Sequence, residues 1–365
     1  MELTSTAPLL LFPCPGCNSQ LYFSPKDQQL VCEHCGTTVA IEKATNLIKE
    51  NHLKQQLSGA ATDTTVTIEQ QVYKCNRCGS QTAFTTETPV FVCSFCNYEA
   101  VNPVAYKTRI IQPSGMIPFI VDQQQSISIF KTWLGKGWFA PGDLKEFARQ
   151  DALHGIYLPF WTYDAQTHSE WSGYGGRYYY ETEYYTDANG KQQSRQVQRT
   201  EWIFRSGTYD HFFDDILIGG ANELSQDEYE SIFPYNLEQL VNFDPRYLSG
   251  WKADVYDIAV SEGYEKAEQI MDGIIHEACA DDCRIDTYKG LNVETVFSQQ
   301  TYKHILLPLW LCTYVYKNKT YHFLVNGQTG MIHGKKPVSA LKVTLVVILA
   351  LLIIFLVVML FRGNS

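Results

Sequence analysis

Positive charge is scarce in this sequence. Of 365 residues, 29 are Lys or Arg and 39 are Asp or Glu; charged residues of both signs make up 19% and the formal charge is −10. This balance excludes a broad electrostatic attraction to nucleic acid or to anionic lipid. Nucleotide chemistry lacks its loop as well. "GMIHGKK", Gly330 to Lys336, has three residues between its glycines where a phosphate loop has four, and Lys336 stands where Ser or Thr belongs. A zincin helix is absent too, because Ala280 occupies the place of the second His after His276 and Glu277. The opening "MELTSTAPLLLFPCPGC" has no basic stretch, and its apolar run from Pro8 to Pro13 is too short for a secretory signal. The bulk of the chain is therefore expected in a reducing cytosol, and an odd total of eleven cysteines argues against a complete disulfide framework.

What the sequence does have is length for two or three domains with a full-sized core. Tyr 23, Phe 19 and Trp 7 favour a β-rich interior. Cysteine is concentrated: eight of the eleven stand in four CxxC pairs before residue 97, whereas Cys279, Cys283 and Cys312 are scattered.

Those eight fall in a repeat. "FPCPGCNSQLYF" (12–23) returns as "YKCNRCGSQTAF" (73–84) at an offset of 61, pairing Cys14 with Cys75, Cys17 with Cys78, Cys32 with Cys93 and Cys35 with Cys96. Each tetrad reads CxxC, fourteen residues, CxxC. Two intervening residues let both thiolates of a knuckle reach one ion at about 2.3 Å, and a β-hairpin across the fourteen brings the second knuckle round to complete a tetrahedron. Asn18, Gly36, Gly79 and Asn97 directly follow the knuckles, where a left-handed backbone is needed. The expected cofactor is Zn2+ in two structural four-cysteine sites, with rubredoxin-type iron as the alternative. Four thiolates leave no open coordination position, so neither site is catalytic. Each ion should contribute on the order of 10 kcal/mol to a module of about thirty residues that has almost no core of its own.

The organisation follows from these landmarks. Residues 12–40 read as the first ribbon and 73–102 as the second. Between them 41–72 begins as a short helix (Ile41, Ala44, Leu47, Ile48) and dissolves into a Ser/Gly/Thr linker. From 110 to 335 runs an aromatic-rich, mainly antiparallel α+β domain. Within it, "SISIFKTWLGKGWFAPGDLKEFARQ" suggests two short helices, broken at Gly135 to Gly137 and restarted at Pro141. Trp161, Tyr163, Ala165, Thr167, Ser169 and Trp171 alternate along one face of a half-buried strand. Asn189-Gly190 suggests a type I′ hairpin turn. Ala267, Ile270, Met271, Ile274, Ile275 and Ala278 mark a long helix, and 304–330 gives two strands joined at 317–320 with a tighter turn at Asn326-Gly327. "YLPFW" (157–161) is echoed by "LLPLW" (306–310), as if two halves of one sheet were related.

The chain closes on "VTLVVILALLIIFLVVMLF", nineteen residues from Val343 to Phe361 without a charge, Gly or Pro. At 1.5 Å per residue such a helix just spans a hydrocarbon core of about 30 Å. Lys335, Lys336 and Lys342 precede it and only Arg362 follows, which predicts a tail-anchored, single-pass protein of the plasma (inner) membrane with residues 1–340 cytoplasmic.

Other constellations point to packing rather than chemistry. His276, Cys279 and Cys283 share a helical face, but Cys279 falls near the apolar stripe, where Cys behaves as a small hydrophobe. "GYGGR" (173–177) reads as a turn among strands. Asp164 and His168, with His154 as the third member of an acid/base set, fall on the solvent face of their strand. Residues 1–105 carry six basic side chains (Lys26, Lys43, Lys49, Lys54, Lys74, Arg77) against nine acidic ones, and each tetrathiolate zinc adds −2. A nucleic-acid interface needs a basic stripe, and this region has none.

Taken together, the paired ribbons, Leu158-Pro159-Phe160-Trp161, Leu307-Pro308-Leu309-Trp310, "VNGQTG" (325–330) and the terminal span resemble a family of bacterial membrane-anchored zinc-ribbon proteins. They are commonly labelled TFIIB-type zinc finger or primosomal protein N′-like helicase; the helicase label finds no phosphate loop here. The resemblance implies a place in phage-shock type membrane-stress operons, holding a flotillin-like (SPFH) partner and a stress effector at the membrane. It carries over only the eight cysteine ligands. The expectation is a non-enzymatic adaptor that recruits protein partners to the membrane, with no small-molecule substrate identified; the alternative is a membrane-tethered nucleic-acid-binding ribbon protein.

Overall fold

The structure is a computed structural model that describes residues 12–42, 48–57, 66–83, 90–101, 103–135, 153–316 and 319–363. The helix expected at 41–48 falls mostly outside these residues, as does the one after Pro141. In the first ribbon β1 (Leu21–Ser24), β2 (Gln29–Cys32) and β3 (Thr38–Ala40) form a three-stranded antiparallel sheet. Then come β4 (Asn51–His52) and α1 (Leu53–Leu57). The second ribbon holds β5 (Thr67–Lys74), β6 (Gln81–Ala83), β7 (Val90–Val92) and β8 (Glu99–Val101). The α+β body continues with β9 (Tyr106–Ile111), β10 (Gly115–Met116), α2 (Gln123–Gly135), β11 (Leu153–Thr186), β12 (Gln192–Gly219), α3 (Gln226–Ser231), β13 (Val241–Asn242), β14 (Lys252–Asp254), α4 (Val260–Cys283), β15 (Thr287–Tyr316), β16 (Lys319–Asn326) and β17 (Ile332–Gly334). α5 (Ala340–Gly363) closes the chain.

One twelve-stranded sheet dominates, built on β11 paired antiparallel with β12 on one side and with β15 on the other. β11 is far longer than its sequence pattern implied. Ile156 to Ala165 is buried on both faces, and the alternation expected of a half-buried strand begins only at Gln166. On one face the odd residues Trp161, Tyr163, Ala165 and Trp171 meet Tyr264, Ala267, Met271, Ile275 and Cys279 of α4. The α4 stripe therefore runs through Tyr264, Cys279 and Cys283, and Ile274 is left 43% exposed. Ile156, Leu158 and Phe160 point the other way, onto Tyr229, Ile232 and Tyr235.

The LPxW echo is structural. In register, Leu158 faces Leu307 and Tyr157 faces Pro308. The Pro159 carbonyl accepts the Gly220 N–H at 2.8 Å, the Gly220 carbonyl accepts the N–H groups of Asp257 and Ile258, and the Ile258 carbonyl accepts the Trp161 indole at 2.9 Å. The second half repeats the circuit: Gly327 N–H to Pro308 at 2.9 Å, Ile120 and Val121 N–H to Gly327, and the Trp310 indole to Val121 at 2.9 Å. Each circuit ties the end of one strand pair to the segment that enters a helix, α4 in the first and α2 in the second.

Two turn readings are corrected. The β11–β12 hairpin closes with Gly190 at φ +76° and no left-handed Asn189, because the Asp187 carboxylate accepts the N–H groups of both Asn189 and Lys191 at 2.9 Å and holds a type I turn before the glycine. "GYGGR" is not a turn but the interior of β11. A Cβ on Gly175 would stand 2.5 Å from the Cys283 carbonyl, so a side chain there would push the end of α4 off the strand.

Among the described residues no helix is long and apolar enough to cross a membrane. The described side chains of α5 run without a gap from Lys342 to Leu356 only, so the span expected over 343–361 is not part of what the fold establishes.

Candidate metal centres

All four knuckles are one turn. The N–H groups of Asn18, Gly36, Gly79 and Asn97 donate to the carbonyls of Cys14, Cys32, Cys75 and Cys93 at 2.9–3.0 Å. The N–H groups of those same cysteines donate to Ser19, Thr37, Ser80 and Tyr98 at 2.7–2.9 Å. The closing residues take φ of +60°, +74°, +91° and +54°. Nothing lies within 4 Å of where a Cβ would stand on Gly36 or Gly79, so these glycines serve backbone conformation rather than space.

The turns bring each tetrad together, with every sulfur within 4.8 Å of the others. Cys14 to Cys35 and Cys17 to Cys32 measure 3.5 Å; Cys75 to Cys96 and Cys78 to Cys93 measure 3.6 Å. A tetrahedral ion with metal–sulfur bonds of about 2.3 Å requires sulfurs about 3.8 Å apart, whereas a disulfide requires about 2.05 Å. The eight sulfurs fit the ion, and all are free thiols. The thiols do not share one tendency. Ser19 lowers the Cys17 thiol and Thr37 lowers Cys35, and Cys93, donated to by Cys78 and also by the buried Ser80, is pushed down to about 4, whereas its partner Cys78 is pushed up and burial raises Cys96 to about 11. Thiolate is the ligand form.

The ribbons are seated differently. The first has the expected hairpin, with Leu21 paired to Cys32 and Phe23 to Leu30. It docks on residues 247–251. The Phe23 N–H donates to the Ser249 carbonyl at 3.0 Å, the Trp251 indole to the Phe23 carbonyl at 3.1 Å, and the Phe23 and Tyr247 rings meet edge-on at 5.1 Å. In the second ribbon, among the described residues, β6 does not pair with β7 as the expected hairpin requires, because both edges of β6 are occupied. β5 takes one (Tyr73 with Thr82) and β14 the other (Ala253 with Ala83, Asp254 with Thr82). β7 pairs with β8 instead. The Thr313 hydroxyl donates to the Phe95 carbonyl at 2.8 Å, Asn97 donates to the Thr313 carbonyl at 3.1 Å, and His154 bonds Asn97 at 3.0 Å.

Cys14 and Cys32 pack in one cluster with Tyr157, Leu306 and Trp310, whereas Cys75 and Cys93 pack with Ile156, Leu158, Leu307 and Leu309. Successive residues of a strand point to opposite faces, so the two ribbons sit on opposite faces of the β11–β15 pair. The segment 247–254 reaches both, gripping the first with Ser249 and Trp251 and pairing with the second through β14.

The remaining candidates are dispersed. His276 is exposed while Cys279 and Cys283 are fully buried against the sheet. His154 serves the second ribbon, and His168 pairs with Asp210 at 2.6 Å on the open face. Asp164 is buried, not on a solvent face as its alternation suggested. Its carboxylate lies within 4.8 Å of those of Asp214 and Asp215, and the Lys303 ammonium lies 2.7 Å from Asp215, 3.1 Å from Glu50 and 3.9 Å from Asp164. The cation of this cluster is the lysine itself. Gly330 to Lys336 form the turn and strand after β16.

No protein-family model matches the chain, and no solved structure matches it. It is distantly homologous to the uncharacterized protein YdjG of Bacillus subtilis (strain 168), with 26% identity over 331 residues that cover 74% of this chain and 91% of that protein.

Proposed function

We propose that this protein is a non-enzymatic adaptor, tethered by α5 to the cytoplasmic side of the plasma (inner) membrane, whose two zinc ribbons hold a rigid α+β body that recruits protein partners. The observation that carries the reading is α5. Its described side chains from Leu345 to Leu356 are all apolar and open to solvent, with Leu345, Leu352, Phe355 and Leu356 each more than half exposed. A helix apolar on every side needs an apolar medium. The sequence run from Val343 to Phe361 has the length for a span, and the lysines before it favour a cytoplasmic body. Zinc in each tetrad would be closed by four thiolates and so structural. The resemblance to phage-shock type ribbon proteins adds the partner class, a flotillin-like protein and a membrane-stress effector.

Two measurements test this. The full chain should stay with membranes through alkaline extraction, and a chain ending at Ser339 should be released; release of both would remove the anchor. Affinity capture from solubilised membranes should lose its partners when Cys75→Ser abolishes the second site. Partners that survive would take the ribbon out of recruitment.

A further inference from the structure

Among the described residues β11 is the sole strand neighbour of β12, so the other edge of β12 carries a row of N–H and C=O groups without a strand partner. Where β15 ends, opposite Gly176, the β11–β12 hairpin continues as a two-stranded arm with β11 residues 177–186. Two strands alone are marginally stable in water, and a long open edge invites another strand.

The arm has two unlike faces. One carries ion pairs: Arg195 to Glu183 at 2.5 Å, Arg199 to Glu181 at 3.5 Å and Arg177 to Glu201 at 3.9 Å. The other has no charge, with Tyr178, Tyr180, Thr182 and Tyr184 paired to Thr200, Gln198, Gln196 and Ser194. It continues into Trp202, whose ring carries the Lys289 ammonium at 4.0 Å, and into Phe204, which is 61% exposed.

We propose that this edge pairs antiparallel with the same edge of a second copy of the chain, about a two-fold axis at Ile203. A two-fold contact must be self-complementary. With the axis at Ile203, Glu201 faces the second copy's Arg205 twice over, Trp202 faces Phe204, Thr200 faces Ser206, Val197 faces Tyr209, and no like charges oppose one another. With the axis at Trp202, Arg199 would face Arg205 twice. At Glu201 or Arg205 that residue would face itself, and at Phe204 no charged pair forms. Directly opposed charges decide register in antiparallel strands, which selects Ile203 among these five. The arm of each copy would then lie along β12 residues 205–214 of the other, where α4 backs the sheet, and would gain the third strand it lacks.

The test uses the full chain in mild detergent, with mass read by light scattering after gel filtration. The wild type should be a dimer. Glu201→Arg should raise its Kd about thirtyfold, from two attractive pairs made repulsive, and Glu201→Arg with Arg205→Glu should restore it. Arg205 also reaches the last carbonyls of α4, at 3.4 Å from Cys283 and 3.3 Å from Arg284, so the swap could impair folding. A second probe therefore decides independently. Thr200→Cys with Ser206→Cys should yield a covalent dimer on mild oxidation well above the wild type, and Thr200→Cys alone should not. A wild type monomeric at every concentration overturns the proposal, as does a dimer indifferent to Glu201→Arg whose double-cysteine variant fails to cross-link above the wild-type level.

Discussion

Removal of the second metal should be felt in the centre of the sheet, not only in the ribbon. Cys75→Ser breaks one tetrad and leaves one ion per chain. A structural site of this kind contributes on the order of 10 kcal/mol, against a total stability of roughly 5–15 kcal/mol for a whole domain. If the ribbon were an autonomous module, the loss would stop at its edge. Its buried Tyr73, Phe91 and Phe95 instead share a cluster with Ile156, Leu158 and Leu309. At about 1.5–3 kcal/mol per large apolar side chain, these three alone account for roughly 5–9 kcal/mol of burial that depends on the folded ribbon. β14 loses its β6 partner at the same time, and Lys252, whose ammonium sits 5.1 Å over the Phe91 ring and donates to the Val92 carbonyl, loses its seat.

The assay is metal stoichiometry by atomic emission together with amide exchange. Cys75→Ser should carry one zinc, and peptides covering Lys252–Asp254 and Leu153–Ile156 should exchange at least tenfold faster. Unchanged protection in both peptides would refute the shared core and return the ribbon to a free-standing module.

Other perturbations test separate parts of the fold. His304 is fully buried, its Nδ1 bonds the Ile111 carbonyl at 2.8 Å, its Nε2 has no partner among the described residues, and burial holds its pKa down at about 4. The unfolded state then binds the extra proton between about pH 6.5 and 4, so stability should be complete above pH 6.5 and fall by about 3 kcal/mol as pH drops to 4. Urea titrations should show a slope in that window that His304→Phe removes, whatever zinc loss both proteins share. Lys303→Met should cost about 3–5 kcal/mol by leaving Asp164 buried and unpaired, with part recovered by adding Asp164→Asn; equal midpoints for the single and double variants would deny the pairing. Trp161→Phe and Trp310→Phe each leave a buried carbonyl without its indole donor and should lower stability by similar amounts, about 1–3 kcal/mol. A large difference between the two would argue against equivalent circuits.

The metal centres were legible in the sequence because a knuckle is local: CxxC followed by Gly or Asn specifies its own turn and all four ligands of a tetrad. The same holds for α4 and for the β11–β12 hairpin, whose periodicity or turn residues lie in one stretch. What stayed hidden depends on partners far away in the chain. Asp164 alternates with the polar residues of its strand, and nothing nearby shows that Lys303 and Glu50 will cover it. β6 carries the same motif as β1, yet its hairpin is replaced because Lys252–Asp254, over 160 residues later, claims the edge. GYGGR has a turn's composition, and only the approach of Cys283 to Gly173 and Gly175, and of Thr287, Thr200 and Trp202 to Gly176, explains glycine in mid-strand. The LPxW echo was visible as five letters, but its meaning rests on carbonyl partners at Ile258 and Val121 that no repeat search would align.

These long-range contacts bear on how the proposed adaptor would work. β16 and β17 extend the same sheet, with Phe323 to Val325 paired to residues 332–334, and α5 begins six residues beyond β17. The Lys336 ammonium sits 4.2 Å over the Trp133 ring, fixing the connecting segment against α2. From there the hydrogen-bonded path runs through β15 to β11, whose two faces each carry a ribbon. Hinges need segments with few buried contacts, and aromatic side chains pack along this path: Phe323 against Phe130 at 3.6 Å, Trp310 against Phe119 at 5.3 Å, Phe119 against Trp251 at 4.1 Å. Up to Lys336 the two ribbons are thus held in fixed positions on one sheet, and a strain on either ribbon would be shared by that sheet.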